Sequence, residues 1–598
     1  MMATQPKIIV VGGGLAGLMS TIRVAESGVP VDVFSIVPVK RSHSVCAQGG
    51  INAAKNTKGE GDSTWQHFDD TIYGGDFLAN QSLVKGMCDA APAIIDLLDR
   101  MGVMFNRTPE GLLDFRRFGG TLHHRTAFAG ATTGQQLLYA LDEQVRRFEA
   151  EDKVRKFEGW SFLSAVIDDA GVGRGICAMN LKTMEIKTFP ADAVIFCTGG
   201  IGAIFYYSTN SVVCTGSAQS ALFQQGAYYA NGEFIQVHPT AIPGEDKCRL
   251  MSESARGEGG RVWVPKQPGD KRSGKDIPET ERFYFLEEWY PKYGNLVPRD
   301  VATRAIHKIV FEMKMGLAGD QPAVYLDVSH LPAELLDRKL EGILEIYEKF
   351  LGVDPRKEPM KVFPAMHYTM GGLWVDNEHQ ATNLPGIFAA GECEYQYHGA
   401  NRLGANSLLS CIYGGMIAGP SAVKYGRSLE QGCESTPASV YERERVRQQD
   451  INDALLNQHK GTENPMTIWR ELGQLMTANV TVTRDNRTLK ITLDELDALA
   501  DRYRHINLSD RTQWSNQTLN FVRELGNMLV LAKVVTLGAL ERNESRGAHW
   551  KPEFPSRDDK DWLKTTKASY NGGKIKLEYE PVDISLLPPR ERKYTAKT

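Results

Sequence analysis

Residues 7–35 read "KIIVVGGGLAGLMSTIRVAESGVPVDVFS". Lys7–Val11 is a short apolar run, a glycine-rich break follows it, an apolar-periodic segment continues to about Gly28, and a second β-branched run fills Val31–Ser35. Strand, turn, helix and strand in this order predict a βαβ unit. Inside the turn, Gly12, Gly14 and Gly17 form G-x-G-x-x-G. Glycines at this spacing permit a tight turn, let backbone N–H groups approach a pyrophosphate at a helix N-terminus, and bring helix and strand close together. The end of the second strand, where a carboxylate would hold a ribose, is Ser35, and Asp32 lies three residues too early. A serine hydroxyl can still bond a ribose, so this turn alone leaves both NAD and FAD open.

Working outward, two further short apolar runs end in glycine: "DAVIFCTGG" (192–200) and "GIFAAGE" (386–392). They predict strands of the same sheet, which makes one discontinuous domain over residues 1–233 and 353–427. Thr198 and Gly199 end the first run, and Glu392 ends the second. A second glycine–acid turn can reach the ribitol of an FAD lying along the sheet, which favours FAD. Between the two halves, residues 234–352 mix Gly, Pro and charged stretches with helical patterns such as "ELLDRKLEGILEIYEKF", and read as an inserted α+β capping domain. Residues 428–545 are rich in helix formers at helical spacing and predict a helical domain. Residues 546–598, with "PEFPSRDDKDW" and "SLLPPRERKY", read as an irregular, surface-lying C-terminal segment. The fold class is therefore α/β: a Rossmann-like FAD-binding domain interrupted by a cap and followed by a helical domain.

Composition narrows the partners. A chain of 598 residues is too long for one core, and 42% hydrophobic with 24% charged residues is the balance of a globular protein. A formal net charge of −4 offers no basic field for nucleic acid. The nine cysteines are scattered without a C-x-x-C pair, so neither a zinc site nor an iron–sulfur cluster is expected in this chain, and a reducing compartment fits. No run approaches about 18 apolar residues and "MMATQPK" carries no signal-like h-region, so no direct membrane span and a cytoplasmic placement are expected.

Several polar patterns carry chemistry. "RSHSVCAQGG" (41–50) places His43 just before Gln48, Gly49 and Gly50. "FIQVHPT" holds His238, "LMSESARGEGG" holds Ser252, Glu253 and Arg256, and "LVPRDVATRAI" holds Arg299. "HYTMGG" holds His367, and "HGANRLGANSL" holds His398, Arg402 and Ser407. Singly these are ordinary: a histidine before proline is commonly a turn residue, and an Arg–Asp neighbour is commonly a solvated pair. Together they would give one pocket the arginines, histidines and hydroxyl that hold a small dianion such as a dicarboxylate.

These motifs, with "GGGLAG", "AAGE", "NESRGAH" and "FPSRDD", run through the chain in the order found in the flavoprotein subunit of succinate dehydrogenase and fumarate reductase, and the chain resembles that family over nearly its whole length. The resemblance implies that His43 attaches covalently to the methyl group on the benzenoid ring of FAD, raising its reduction potential. Relatives that oxidise aspartate lack this histidine. It implies that His238, Ser252, His367 and Arg402 bind the two carboxylates of succinate or fumarate, that Arg299 moves the proton, and that Glu253 and Arg256 relay it to solvent. The FAD contacts implied are Gly12, Gly14, Gly17, Ser35, His43, Gln48, Gly49, Gly50, Thr198, Gly199, Glu392 and Ser407. Chemistry alone would nominate a histidine for the proton, since a free guanidinium titrates above about 12. The sequence departs from common family forms at Ser252, where threonine is frequent, in "ATTGQQLL" (131–138), which lacks an acidic residue, and in "TGSA" (215–218), which replaces "TGDG".

The resemblance further implies an iron–sulfur subunit and a membrane cytochrome b anchor as partners, with a bacterial branch whose anchor is a single di-haem cytochrome b as the best fit. It places the chain on the cytoplasmic face of the inner membrane, held there through those subunits. Two rivals remain: a soluble fumarate reductase or aspartate oxidase with another electron acceptor, and a flavin-binding assembly subunit without turnover, in which the substrate-site positions should be eroded.

Overall fold

The computed structural model describes residues 5–242, 244, 248–319 and 321–593. Ile8–Val11 lies at the centre of a five-stranded parallel sheet in the order Ile387–Ala389, Ala193–Phe196, Ile8–Val11, Val31–Ser35, Val154–Glu158. Parallel strands are buried on both faces, which is why the three opening apolar runs lack alternation. The fifth strand, "VRKFE", is an edge with one apolar side, and its charged residues hide it from a search for apolar runs. Helix Leu15–Glu26 returns the chain between the first two strands and packs along helix Asn406–Ser428.

A second sheet is antiparallel, in the order Arg249–Leu250, Ile235–Ile242, Met360–Thr369, Val324–Asp327, Arg261–Pro265, Arg282–Phe283. The ten-residue strand Met360–Thr369 pairs Ala365 with His238 and Thr369 with Ile235, so this sheet draws chain from both sides of residue 353. Helices Arg299–His307, Ala333–Lys339 and Glu341–Leu351 belong to the same unit, with Val262, Leu326, Ala302 and Leu344 in its core.

Helices Ala438–Leu456, Pro465–Asn479, Asn486–Tyr503 and Gln517–Glu541 form the helical part. Asn464, Asp485 and Asn516 cap three of them, each side chain accepting a hydrogen bond from a first-turn N–H. The last helix packs against Ser217–Gln224 beside the parallel sheet. No helix among the described residues is long and apolar enough to cross a membrane.

The carboxyl end differs from the irregular segment expected. Lys564–Asn571 and Lys574–Pro581 form an antiparallel hairpin whose first strand also pairs with Tyr229–Ala230. Its two-residue turn is Gly572–Gly573, at φ +55° and +89°, the left-handed geometry such turns need. The Asn-Gly-Gly signal is visible in the sequence, but the surrounding lysines and glutamates read as a solvated tail.

Candidate functional site

The glycine turn is shaped by close approach. A Cβ on Gly12, at φ +116°, would lie 2.1 Å from the Cys197 carbonyl oxygen, and one on Gly17 would lie 1.8 Å from the Gly12 carbonyl oxygen. Any side chain there would force helix and sheet apart. Over this turn opens a cavity of about 520 Å³. Its wall includes the expected cofactor positions Gly12, Gly14, Ser35, His43, Gln48, Gly49, Gly50, Thr198, Gly199, Glu392 and Ser407, while Gly17 sits beneath the turn. Among the described residues, Gln48 Oε1 and Thr198 Oγ1 are buried at this wall without a protein partner, which suits a bound polar group such as a flavin nucleotide.

His43 begins a short turn, His43–Cys46, and the Ser211 N–H donates to its Nδ1 at 3.2 Å. The Gln48–Gly49–Gly50 segment is pinned by Arg116, which donates to the carbonyls of Gln48 and Gly49 at 3.0 Å each. Burial pushes the Arg116 guanidinium down to about 9. Sequence reading missed this residue, since nothing local in "FRRFGG" links it to position 48. Ser35 donates its hydroxyl to the Val37 carbonyl at 2.6 Å, and Glu392 accepts the Thr369 N–H at 3.0 Å. Burial raises the Glu392 carboxyl to about 7.

The same cavity is lined by His238, Ser252, Glu253, Arg299, His367 and Arg402, so the positions scattered over 165 residues of sequence do converge. Arg299 opens its helix behind Pro298. It donates through Nε to Glu253 Oε2 and through Nη1 to Gln236 Oε1, each at 2.8 Å. The other Glu253 oxygen accepts the Gly119 N–H at 2.9 Å and lies 3.3 Å from Arg256 Nη2. Arg256 is behind Glu253 rather than on the cavity wall and donates to the Asn295 carbonyl at 2.7 Å. Burial alone would raise the Glu253 carboxyl, but the Arg299 and Arg256 charges outweigh it and hold the group below its ordinary range. Burial lowers Arg256, with Glu253 opposing.

Gln236 is the other participant that sequence reading missed. It stands two residues before His238 on one strand and donates to Asn401 Oδ1 at 2.9 Å and to the Arg402 carbonyl at 2.7 Å, tying Arg299 to the Arg402 loop. The period-two alternation of "FIQVHPT" was the available signal.

The His238 and His367 rings stand 5.0 Å apart, edge to face. The Thr240 N–H donates to His238 Nδ1 at 3.2 Å, which assigns the ring proton to Nε2, a buried atom without a partner among the described residues. His367 Nδ1 meets Thr209 Oγ1 at 2.7 Å. Burial first, and then the Arg299 charge, push both imidazoles well below their ordinary value, so both are neutral. Arg402 lies 4.5 Å over the Tyr368 ring, has no partner for Nε among the described residues, and is lowered to about 9 by burial and by Arg299. The Ser252 hydroxyl donates to Ser254 Oγ at 3.0 Å. His398, a neighbour in sequence, is off the cavity wall and bonds Ser410 Oγ at 3.0 Å. Arg299 and Arg402, two neutral imidazoles and a hydroxyl therefore meet in one desolvated space, with Glu253 and then Arg256 in line behind Arg299.

A family model described as an FAD binding domain matches residues 7–408, and one described as a fumarate reductase flavoprotein C-term matches residues 469–594. The chain is 63% identical over 596 residues to the succinate dehydrogenase flavoprotein subunit of Bacillus subtilis (strain 168), with 99% of both chains covered. It is 35% identical over 610 residues to the fumarate reductase flavoprotein subunit of Escherichia coli (strain K12), covering 99% of this chain and 96% of that one. Its fold matches the FrdA chain of E. coli quinol fumarate reductase with a TM-score of 0.91 at 32% identity, covering 100% of both.

Proposed function

The chain belongs to the family of succinate dehydrogenase and fumarate reductase flavoprotein subunits, and we propose that it interconverts succinate and fumarate at the Arg299 cluster, beside FAD held over the glycine turn. The observation that carries this reading is the single cavity whose wall holds both groups of residues. When bound, FAD supplies the two-electron, hydride-level acceptor or donor.

The chain's own residues do the rest. Arg402, Ser252, His238 and His367 hold the two carboxylates. Because both imidazoles are neutral, they donate hydrogen bonds without adding charge, and the two arginines balance the dianion. Arg299 gives a proton to the substrate carbon during fumarate reduction and takes one transiently during succinate oxidation. Glu253, kept ionised by its two arginines, is the next station, and Arg256 links it outward. Burial of the site excludes water and strengthens each of these contacts. The second sheet and its helices, expected over 234–352, form the cap that closes over substrate.

His43 is the proposed covalent anchor. The Ser211 amide engages Nδ1, which makes Nε2 the bonding nitrogen. Since no cysteine cluster is present in the sequence, the electrons go on to an iron–sulfur subunit and, through a cytochrome b anchor, to quinone at the cytoplasmic face of the membrane. The branch with a single di-haem anchor is the proposed setting.

The test is dye reduction by the purified flavoprotein with succinate, alongside peptide mapping of the flavin after acid denaturation. Succinate-dependent turnover with flavin on the His43 peptide is expected. Turnover with aspartate in place of succinate, and flavin released free, would move the chain to its aspartate-oxidising relatives.

A further inference from the structure

Among the described residues, three carboxylates line the cavity: Glu253, Glu392 and Glu524. The first two are placed above. Glu524 comes from another part of the molecule, the helix Gln517–Glu541, and is only 8% exposed. The Asn520 amide donates to its Oε1 at 3.1 Å.

Its neighbours fix which side of the cavity it occupies. One helical turn onward, Asn527 donates to Ser217 Oγ at 2.7 Å. On the other side, Arg523 bonds Gln448, whose amide donates at 3.0 Å to Ser164 Oγ on the strand Trp160–Ile167. Glu524 therefore stands between the Ser217 turn and the strand whose first residues, Trp160 and Ser161, line the cavity. The Gly159 N–H just before that strand donates to the Ser35 carbonyl at 2.8 Å. Ser35 ends the second strand of the parallel sheet, the place beside the glycine turn where nucleotide-binding sheets hold a ribose.

On this side the usual acid positions are serines. Ser35 already donates its hydroxyl to Val37, and Ser217 stands where the related motif "TGDG" has its acid. An adenosine group presents two ribose hydroxyls and an exocyclic amine, all donors that need acceptors when desolvated. Among the described residues, Glu524 is the one carboxylate at this part of the wall.

We propose that Glu524 is the adenosine-binding carboxylate of this chain, supplied to the cofactor by the helical domain rather than by the nucleotide-binding sheet. The inference rests on the FAD reading above and extends it. Burial without a cation raises this carboxyl to about 7, and a donor from the cofactor would relieve that strain by pairing with the ionised form.

The experiment uses the full chain with His43→Ala, so that binding is reversible, and measures dissociation constants for FAD, FMN and ADP by fluorescence and calorimetry. Adding Glu524→Ala is expected to weaken FAD and ADP about 10- to 100-fold while leaving FMN, which lacks adenosine, within about twofold. Glu524→Gln, which keeps an acceptor oxygen and the shape, should fall between. The 2′-deoxy and 6-deamino analogues of ADP then locate the bond: the analogue missing the partner group binds with and without Glu524 equally well. Unchanged FAD affinity, or an equal loss for FAD and FMN, overturns the proposal, the second outcome marking Glu524 as a packing residue. A His43→Ala chain that binds no FAD before Glu524 is altered overturns the FAD reading itself and the proposal with it.

Discussion

Arg299 and Glu253 on the cavity wall, with Arg256 behind them, can be set beside Arg542, Glu544 and Arg546 near the carboxyl end. Both are buried arginine–glutamate–arginine groups. Around Arg542 every donor is used: Nε to Glu233 at 2.7 Å, Nη1 to Glu544 and to the Trp562 carbonyl at 2.9 Å each, and Nη2 to the Lys564 carbonyl at 2.8 Å and Thr566 Oγ1 at 2.9 Å. Arg546 adds Glu544, Asp559 and the Asp76 carbonyl. That group clasps the last long helix, the approach to the hairpin and the start of the strand at Ile235. Among the described residues Arg299, in contrast, meets two side chains, Glu253 through Nε and Nη2 and Gln236 through Nη1, and Arg256 keeps Nε without a partner. On the proposed function, saturation separates the roles: a guanidinium shared among five partners fastens, and one that meets two side chains beside a cavity keeps capacity for a substrate carboxylate.

The largest expected effect comes from breaking the unsaturated group. Arg299→Lys keeps a positive charge but loses the fork to Glu253 and Gln236. Turnover should fall by about 10²- to 10⁴-fold, the usual weight of a positioned acid–base group, with melting temperature and dicarboxylate binding little changed. Steady-state kinetics with a binding titration decide it, and near-normal turnover would remove Arg299 from proton transfer. Arg542→Met attacks the saturated group. It strands Glu233, leaves Glu544 to Arg546 alone, and should cost about 3–5 kcal/mol of stability, with kcat per folded, flavin-loaded chain unchanged. Denaturant titration and active-site counting test this, and a loss of kcat in the folded fraction would erase the distinction between the groups.

What could be read in advance follows the same division between local and distant. The glycine turn, the strands at Ile8, Ala193 and Ile387 and the four late helices are written in short-range pattern, and they were legible. His238, Ser252, Arg299, His367 and Arg402 were legible as residue types but not as neighbours, because their convergence depends on strand pairing across the cap sheet. Gln236 and Arg116 escaped because each acts on a partner far along the chain. "NESRGAH" could be recognised without being understood, since the Asp76 carbonyl that its Arg546 bonds lies 470 residues earlier. His398 shows the opposite error: near Arg402 in sequence, it faces Ser410 instead of the cavity.

A smaller effect sharpens the substrate end of the comparison. Arg402 stacks on Tyr368 and keeps Nε available, so Arg402→Ala should remove one charge-assisted contact to a carboxylate. That is worth about 1.5–3 kcal/mol, or about 10- to 100-fold in substrate affinity, and kcat should fall as well because orientation suffers. A variant with KM and kcat unchanged would place the carboxylates elsewhere.

Glu394 supplies the mildest test, because it is a buried carboxylate with no arginine on it. It accepts the Gln396 N–H at 2.7 Å, and burial lifts it to about 8, whereas Glu253, equally buried, is held low by two arginines. The sign of its pH effect follows from linkage. Unfolded, the group titrates at its ordinary 4.5, so from there up to about 8 the folded chain keeps a proton that the unfolded chain has released. Its contribution to stability is therefore full below 4.5 and declines as pH rises through 8. Glu394→Gln removes the titration but keeps the acceptor. It should raise the melting temperature at pH 8.5 by roughly 2–4 °C relative to the parent and change little at pH 5. An equal shift at both pH values would mean that the substitution acts through packing. A shift only at low pH would mean that the carboxylate is ionised and paired after all, and then the contrast between acids with and without arginines would no longer hold.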